Sequence, residues 1–421
     1  MSWPNIGPRR SASDAREAAT GSIISAVMFS QRTNWKLTPN RFTEAQREVR
    51  SAGHEILDLT ISNPTCADLH YDSEDIVQAL INPQIMHYDP QPKGMLSARQ
   101  AVAEYYRKQH EEFDVDPESM ILTTSTSEGY SYVFRLLCNP HDEILIPRPS
   151  YPLFEFLADL DDVNLAPYPL LYDHGWQIDL PSLYKAVNHR TKAVVVVHPN
   201  NPTGSYVSAA ERTELNNFCR EYGLSLIVDE VFLDYALDGG SRPTFAVNRD
   251  VLTFTLSGVS KISGLPQMKL AWVTCSGPSE FLAPAMARME IIADTFLSMN
   301  APVQLAAPAL LDQRRAIQPL LIDRVRANLG ELDRALAHQK TCQRLEVEGG
   351  WYAVLRVPVV QSDEDLAIEL LRKANVLVHP GHFYEFASDG YLILSLITPP
   401  ATFRNGISRV LDVLNSIASD N

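Results

Sequence analysis

The sequence predicts an α/β domain with a mostly parallel central sheet, followed by a smaller α+β lobe, and three observations carry that reading. Strand-length apolar runs at 193–197 and 224–228 alternate with amphipathic helical stretches from about residue 75. That alternation gives way after Ala301 to a long helical pattern, then to short strands around Gly349-Gly350. At 421 residues the chain also exceeds one comfortable hydrophobic core.

In order along the chain, residues 1–34 read as a loosely ordered leader. The stretch 22–29 behind Arg9-Arg10 is too short, and too interrupted by Asp14 and Glu17, for an export signal, and Met28 offers an alternative start. Residues 35–74 form an N-terminal arm that joins the small domain through 56–62. The large domain spans 75–305. Within it the spacing predicts helices at 74–81, 98–110, 128–137, 151–160 and 209–222. Strands are expected at 120–122, 143–147, 193–197, 224–228, 251–256 and 269–274. Strands separated by helices imply right-handed crossovers. The small C-terminal domain, 306–421, continues an almost unbroken helical pattern over 302–339. Strands at 344–357, 376–379 and 391–396 and helices at 364–374 and 403–417 complete it.

Composition excludes several function classes. The net charge is −15, which disfavours nucleic acid and anionic membrane surfaces. No apolar run approaches the roughly 18 residues of a membrane span. Cys66, Cys138, Cys219, Cys275 and Cys342 show neither metal spacing nor a disulfide framework, so a reducing cytoplasmic setting is expected, with no metal.

Three loops after buried strands are dense in polar and turn-forming residues: 198–204 with Asn200-Asn201-Pro202-Thr203-Gly204, Asp229-Glu230, and 257–261 with Ser260-Lys261. Ligands in open α/β sheets sit outside the carboxyl ends of the strands, so three such loops point at one site. Taken singly, each has a plainer reading. Asn-Pro-Thr-Gly is a good turn, an Asp after an apolar run is often a cap, and a lone Lys is usually solvated. Their order is what those readings leave unexplained.

At these residues the sequence resembles the fold-type-I pyridoxal-phosphate-dependent aminotransferases of class I/II, over about residues 35–418. The matching segments are 200–204, Asp229-Glu230-Val231-Phe232, and 260–272 from Ser260-Lys261 to Trp272. The resemblance implies a homodimer with composite active sites, an amino-acid or amine donor and a 2-oxo acid acceptor. It implies that Lys261 holds the cofactor as a Schiff base and later moves a proton as base and acid. Asp229 would pair with the pyridine nitrogen, and Asn201 would donate to the phenolic oxygen. The phosphate would be received by Ser125, Thr126 and Ser127 at a helix start, with Ser260 and Lys269. Tyr151 would stack on the ring, and Tyr88 would reach the partner subunit's phosphate.

Three departures stand out. Lys269 replaces the family's usual Arg, keeping charge but losing the bidentate fork. Phe232 replaces a Tyr, removing a hydroxyl beside the phenolic oxygen. Ile393 replaces the Arg that clamps the substrate carboxylate, a contact worth about 1.5–3 kcal/mol. Arg404, His379, His382 and the amides around Ser62-Asn63 are the candidate substitutes. Two alternatives stay open. A decarboxylase, lyase or other enzyme could use the same cofactor without transaminating, or the chain could be a cofactor-binding regulatory module. No G-x-G-x-x-G follows a strand, which disfavours a nicotinamide site.

Overall fold

The computed structural model describes residues 28–109, 114–152 and 154–419, so the leader expected at 1–34 lies outside the described residues as far as residue 27. After one 3-10 turn at Gln31–Thr33, the arm consists of α1 (Arg41–Ser51) and β1 (Leu57–Asp58). The chain continues through α2 (Ser73–Ala79), α3 (Leu96–Gln109), β2 (Met120–Thr123), α4 (Thr126–Leu137), β3 (Glu143–Arg148) and α5 (Phe154–Leu160). Then come β4 (Asn164–Tyr172), β5 (Trp176–Ile178), α6 (Leu180–Ala186), β6 (Thr191–Val197), α7 (Ala209–Tyr222) and β7 (Ser225–Asp229). The large lobe closes with β8 (Thr253–Gly258), α8 (Val259–Ile262), β9 (Ala271–Ser276), α9 (Ser279–Phe296) and α10 (Ala301–Asp312). The remainder is α11 (Arg314–Leu336), β10 (Gln343–Arg344), β11 (Tyr352–Arg356), α12 (Asp363–Ala374), β12 (Val376–Leu377), β13 (His379–Pro380), β14 (Tyr391–Ser395) and α13 (Pro400–Ser419).

The large sheet has the order β2-β9-β8-β7-β6-β3-β4-β5. Strands β8, β7, β6, β3 and β4 run parallel, as the apolar runs imply. Strands β2, β9 and β5 instead pair antiparallel with their neighbours. Both faces are covered, which explains why β6 is apolar throughout. Ala193, Val195 and Val197 enter one core while Val194 and Val196 enter the other.

Local chemistry fixes the helices around this sheet. The Ser208 hydroxyl caps α7 by accepting from the Glu211 amide, and the Glu211 carboxylate accepts from the Ser208 amide. Gly223 ends the helix at φ 65°, where a side chain would be strained. Such a reciprocal cap is worth about 1 kcal/mol.

The small lobe is a four-stranded antiparallel sheet, β10-β11-β14-β13, with α11, α12 and α13. The arm belongs to it: β1 pairs in parallel with β12, and Phe42, Ala45 and Val49 of α1 enter its core. The boundary expected at 305/306 falls inside α10. That helix packs on α2 and α3 and so stays with the large lobe, and the long helical pattern breaks at Gln313 instead.

Candidate functional site

A large cleft opens at the carboxyl ends of the parallel strands, between the large sheet, α1 of the arm and the small-lobe sheet. Of the residues singled out from sequence, Lys261, Asp229, Asn201, Tyr151, Thr126, Ser127 and Ser260 line it together. They arrive from the ends of several different elements, so the convergence is a property of the fold.

Asp229 ends β7. Its Oδ1 accepts from the Val231 amide at 3.1 Å and its Oδ2 from the Tyr130 hydroxyl at 3.2 Å. Burial pushes this carboxyl up to about 6, against those hydrogen bonds and the attraction of Lys261. Lys261 sits in the short helix α8. Burial pulls its amine down to about 8, opposed by Asp229. Its Nζ lies 4.9 Å from the Trp351 ring centre and 5.4 Å from that of Phe232. The lowered value thus comes from desolvation among aromatic rings. The backbone of Lys261 is held as well, since the Tyr235 hydroxyl donates to its carbonyl at 2.6 Å. Gly258, just before α8, abuts β9 so closely that a Cβ would meet the Leu270 carbonyl and the Ala271 Cβ at 2.9 Å.

The loop after β6 divides its work between two asparagines. Asn200 is structural: its Oδ1 accepts from the Thr203 amide and hydroxyl, and its Nδ2 donates to the Pro149 carbonyl. Asn201 is only 8% exposed, and its Oδ1 is buried without a hydrogen-bond partner. The loop closes on the small lobe, where the Glu348 and Gly349 amides donate to the Gly204 carbonyl. Glu230 is likewise structural, accepting from the Thr244 hydroxyl and the Phe245 amide.

At the start of α4 the Ser125 hydroxyl is engaged as the cap, accepting from the Glu128 amide, and its side chain does not line the cleft. The amides of Thr126 and Ser127 have no intrahelical acceptor and face a region where an anion would be stabilised. Lys269 is not brought to the cleft. It occupies a left-handed position, φ 52°, after the turn Pro266–Met268, and is exposed. Tyr88 also lies outside its own chain's cleft, 78% exposed.

The candidate carboxylate ligands separate in the same way. Arg404 is an exposed residue of α13, 3.5 Å from Glu331. His382 does not line the cleft, whereas His379 and Ser62 do. Asn63 spends its side chain on Thr65. Ile393 is buried in the small-lobe core. Sequence reasoning missed Tyr130, Tyr352, and the stripe Thr43, Gln46 and Arg50 of α1, all lining the cleft. The helical pattern marks Tyr130 only as core, and the α1 stripe carries no motif. Among the described residues no cluster of His, Cys, Asp or Glu is arranged for a metal, and no helix is long and apolar enough to cross a membrane.

Comparison with known proteins places the fold among others. The family model described as aminotransferase class I and II matches residues 54–410. The chain is 29% identical over 367 residues to an alanine aminotransferase of Mycobacterium tuberculosis, covering 84% of this chain and 83% of that one. It is 27% identical over 279 residues to the glutamate-pyruvate aminotransferase AlaA of Escherichia coli, covering 66% and 68%. Among solved structures, an alanine aminotransferase from Pyrococcus furiosus superposes with a TM-score of 0.81 at 22% identity, covering 89% of this chain and 96% of that one. An aspartate aminotransferase mutant from Thermus thermophilus gives 0.79 at 23%, covering 91% and 99%.

Proposed function

We propose how this chain, which belongs to the aminotransferase class I and II family, uses its own residues to move an amino group. It is a pyridoxal-phosphate-dependent aminotransferase, taking the amino group of an amino acid or related amine and passing it to a 2-oxo acid. The observation that carries the residue assignment is the meeting, in one cleft, of a desolvated lysine, a buried carboxylate and Asn201, whose Oδ1 is buried without a partner. These groups fit the cofactor, because a buried polar atom without a partner is costly unless a polar ligand satisfies it.

When bound, the cofactor supplies an electrophilic carbon for the amine and a protonated pyridine ring that draws electrons from the substrate Cα. Lys261 Nζ, lowered to about 8 by burial, would hold the cofactor and would carry the proton to and from the substrate Cα. The Asp229 carboxylate, oriented by Tyr130 and Val231, pairs with the ring N–H. Asn201 would donate from Nδ2 to the ring's phenolic oxygen. The Thr126 and Ser127 amides, with the Ser260 hydroxyl, receive the phosphate. Tyr151 packs on the ring face. Phe232 offers an aromatic wall and no hydroxyl.

The active form is a homodimer in which Tyr88 of each chain completes the other's phosphate site. Its exposure, and that of Met86 and Ile81 nearby, supports this reading. The five cysteines, all free, support a cytoplasmic compartment. The N-terminal arm and the residues from Arg314 onward act as the small domain that faces the cofactor lobe, which ends with α10. The relatives above are named as aminotransferases, so decarboxylation and elimination gain no support.

The test is a half-reaction. The cofactor-loaded protein, mixed with L-alanine or L-glutamate and then with other amines, should change its absorbance to that of the aminated cofactor. A 2-oxo acid should restore the original spectrum, and Lys261→Ala should abolish the cycle. If no amine produces the change, transamination is wrong.

A further inference from the structure

Beyond the residues assigned to the cofactor, α5 of the large lobe and α1 of the arm line the cleft, and a substrate must match their chemistry. Helix α5 buries Phe154, Leu157 and Ala158 in the core of the large sheet. Phe156 lines the cleft instead, is half-buried, and belongs to none of the hydrophobic cores. Its ring packs edge to face on Trp35 of the arm, with ring centres 5.6 Å apart. Trp35 is fixed in turn, since its Nε1 donates to Asp159 at 2.8 Å, and Arg32 pairs with Asp162 just beyond the same helix. On the small-lobe side Phe42 of α1 and Phe383 also line the cleft and meet edge to face at 5.5 Å. Aromatic rings from both lobes thus bound one space. Charge narrows the choice further. Asp58, Glu155 and Glu385 line the cleft besides Asp229, and only Glu385 among these three has a cation beside it, Arg148. The cationic side chains lining the cleft, among the described residues, are Lys261 and Arg50. Arg50 is exposed and lies eight residues, about 12 Å, along α1 from Phe42.

We propose that the amino donor carries an aromatic ring, and that Phe156, braced by Trp35, is the residue that selects it. This rests on the transaminase reading and names its substrate class, which differs from the substrates in the relatives' names. A donor ring moved from water onto Phe156 sheds apolar hydration and gains an aromatic contact, and the methyl group of alanine supplies no such ring. The side-chain carboxylate of glutamate would lose water among carboxylates and gain no nearby cation. The ring is common to aromatic amino acids and to arylalkyl amines, so the chemistry recognised is the same for both. Trp35 acts only through Phe156 and is a positioning residue.

The experiment follows the half-reaction of the cofactor-loaded protein with L-phenylalanine, 2-phenylethylamine, L-alanine and L-glutamate. One of the two aromatic donors should react more efficiently than alanine and glutamate by about tenfold or more. Phenylalanine in the lead supports an aromatic amino acid, and phenylethylamine in the lead supports an aromatic amine. Phe156→Ala should raise KM for the aromatic donor roughly tenfold and KM for alanine by no more than about twofold, with the cofactor's spectrum and affinity intact. Phe156→Tyr, which keeps the ring, should stay near the wild type, and Trp35→Ala should give a smaller loss in the same direction. Alanine or glutamate as the better donor, or an equal loss for every donor in Phe156→Ala, would overturn the inference while transamination stands. If the wild type converts no amine at all, the functional reading falls and this one with it.

Discussion

Burial holds the Asp229 carboxyl up at about 6 and the Lys261 amine down at about 8, so each is more easily neutral in the fold than in water. For Asp229 the sign follows from linkage. The folded chain binds the proton more tightly than the unfolded chain, so stability falls as pH rises from 3.8 to about 6 and stays lower above that. Asp229→Asn removes the charge. The cofactor-free variant should therefore be more stable than the cofactor-free wild type at pH 8, by about 2 kcal/mol, with the gain vanishing near pH 4. Calorimetry at the two pH values checks this, and an equal gain at both would show that ionisation is not the cause. The same variant should bind pyridoxal phosphate more weakly, because the pyridine N–H loses its ionic partner. The residues legible in the sequence were those at strand ends, Lys261, Asp229 and Asn201, where polar groups interrupt apolar runs. Tyr130 and Tyr352 were not legible, since each sits among apolar neighbours and reaches the cleft only through packing. Lys269 stands apart from the cleft for another reason. It is exposed at a left-handed position, and no local pattern announces that conformation.

At the scale of elements, α4 shows how packing reaches the site. Gly129 lies where α4 crosses β8 and β9, and a Cβ there would meet Val273 Cγ2 at 2.8 Å and Leu256 Cδ2 at 2.9 Å. Gly129→Ala must move the helix or those side chains, at a cost of about 1–3 kcal/mol. The displaced helix start carries Thr126 and Ser127, so the variant should also bind the cofactor several-fold more weakly. Thermal melts with and without pyridoxal phosphate would show it. A lower melting point with unchanged cofactor affinity would mean that α4 is held at its N-terminus independently of this contact. Periodicity located α7, β6 and β7 well because caps and unbroken apolar runs frame them. It missed α9, where Pro284 interrupts the helix, and the hairpin of β4 and β5, whose strand carries Pro167 and Pro169. The antiparallel setting of β9 was equally invisible, since apolar strands buried on both faces look alike whichever way they run.

At the scale of the molecule, two lobes meet at the cleft through contacts remote in sequence, such as Leu57 with Val376, and no local pattern encodes these. Length and texture announced the lobes and the arm's place in the second; the pairing of β1 with β12 gives that place its physical form. One surface lacks a partner among the described residues. Met86 is 87% exposed, and Ile81, Tyr88 and Leu297 are also exposed. Tyr88 and Leu297 line the same small surface pocket, so the apolar residues of this side are continuous with the end of α9. Apolar groups gathered on one side are the usual mark of an association surface. Ile81→Glu with Met86→Glu should therefore give a monomer in sedimentation velocity, with intact secondary structure. If Tyr88 completes the partner's phosphate site, that monomer should also lose most of its activity and bind the cofactor at least tenfold more weakly. Tyr88→Phe, which keeps the apolar contact, should leave the dimer whole and weaken the cofactor alone. The two variants separate assembly from phosphate binding. A fully active monomer would show that each cleft is complete by itself, and a dimeric Tyr88→Phe with unchanged affinity would remove Tyr88 from the site while leaving the interface in place.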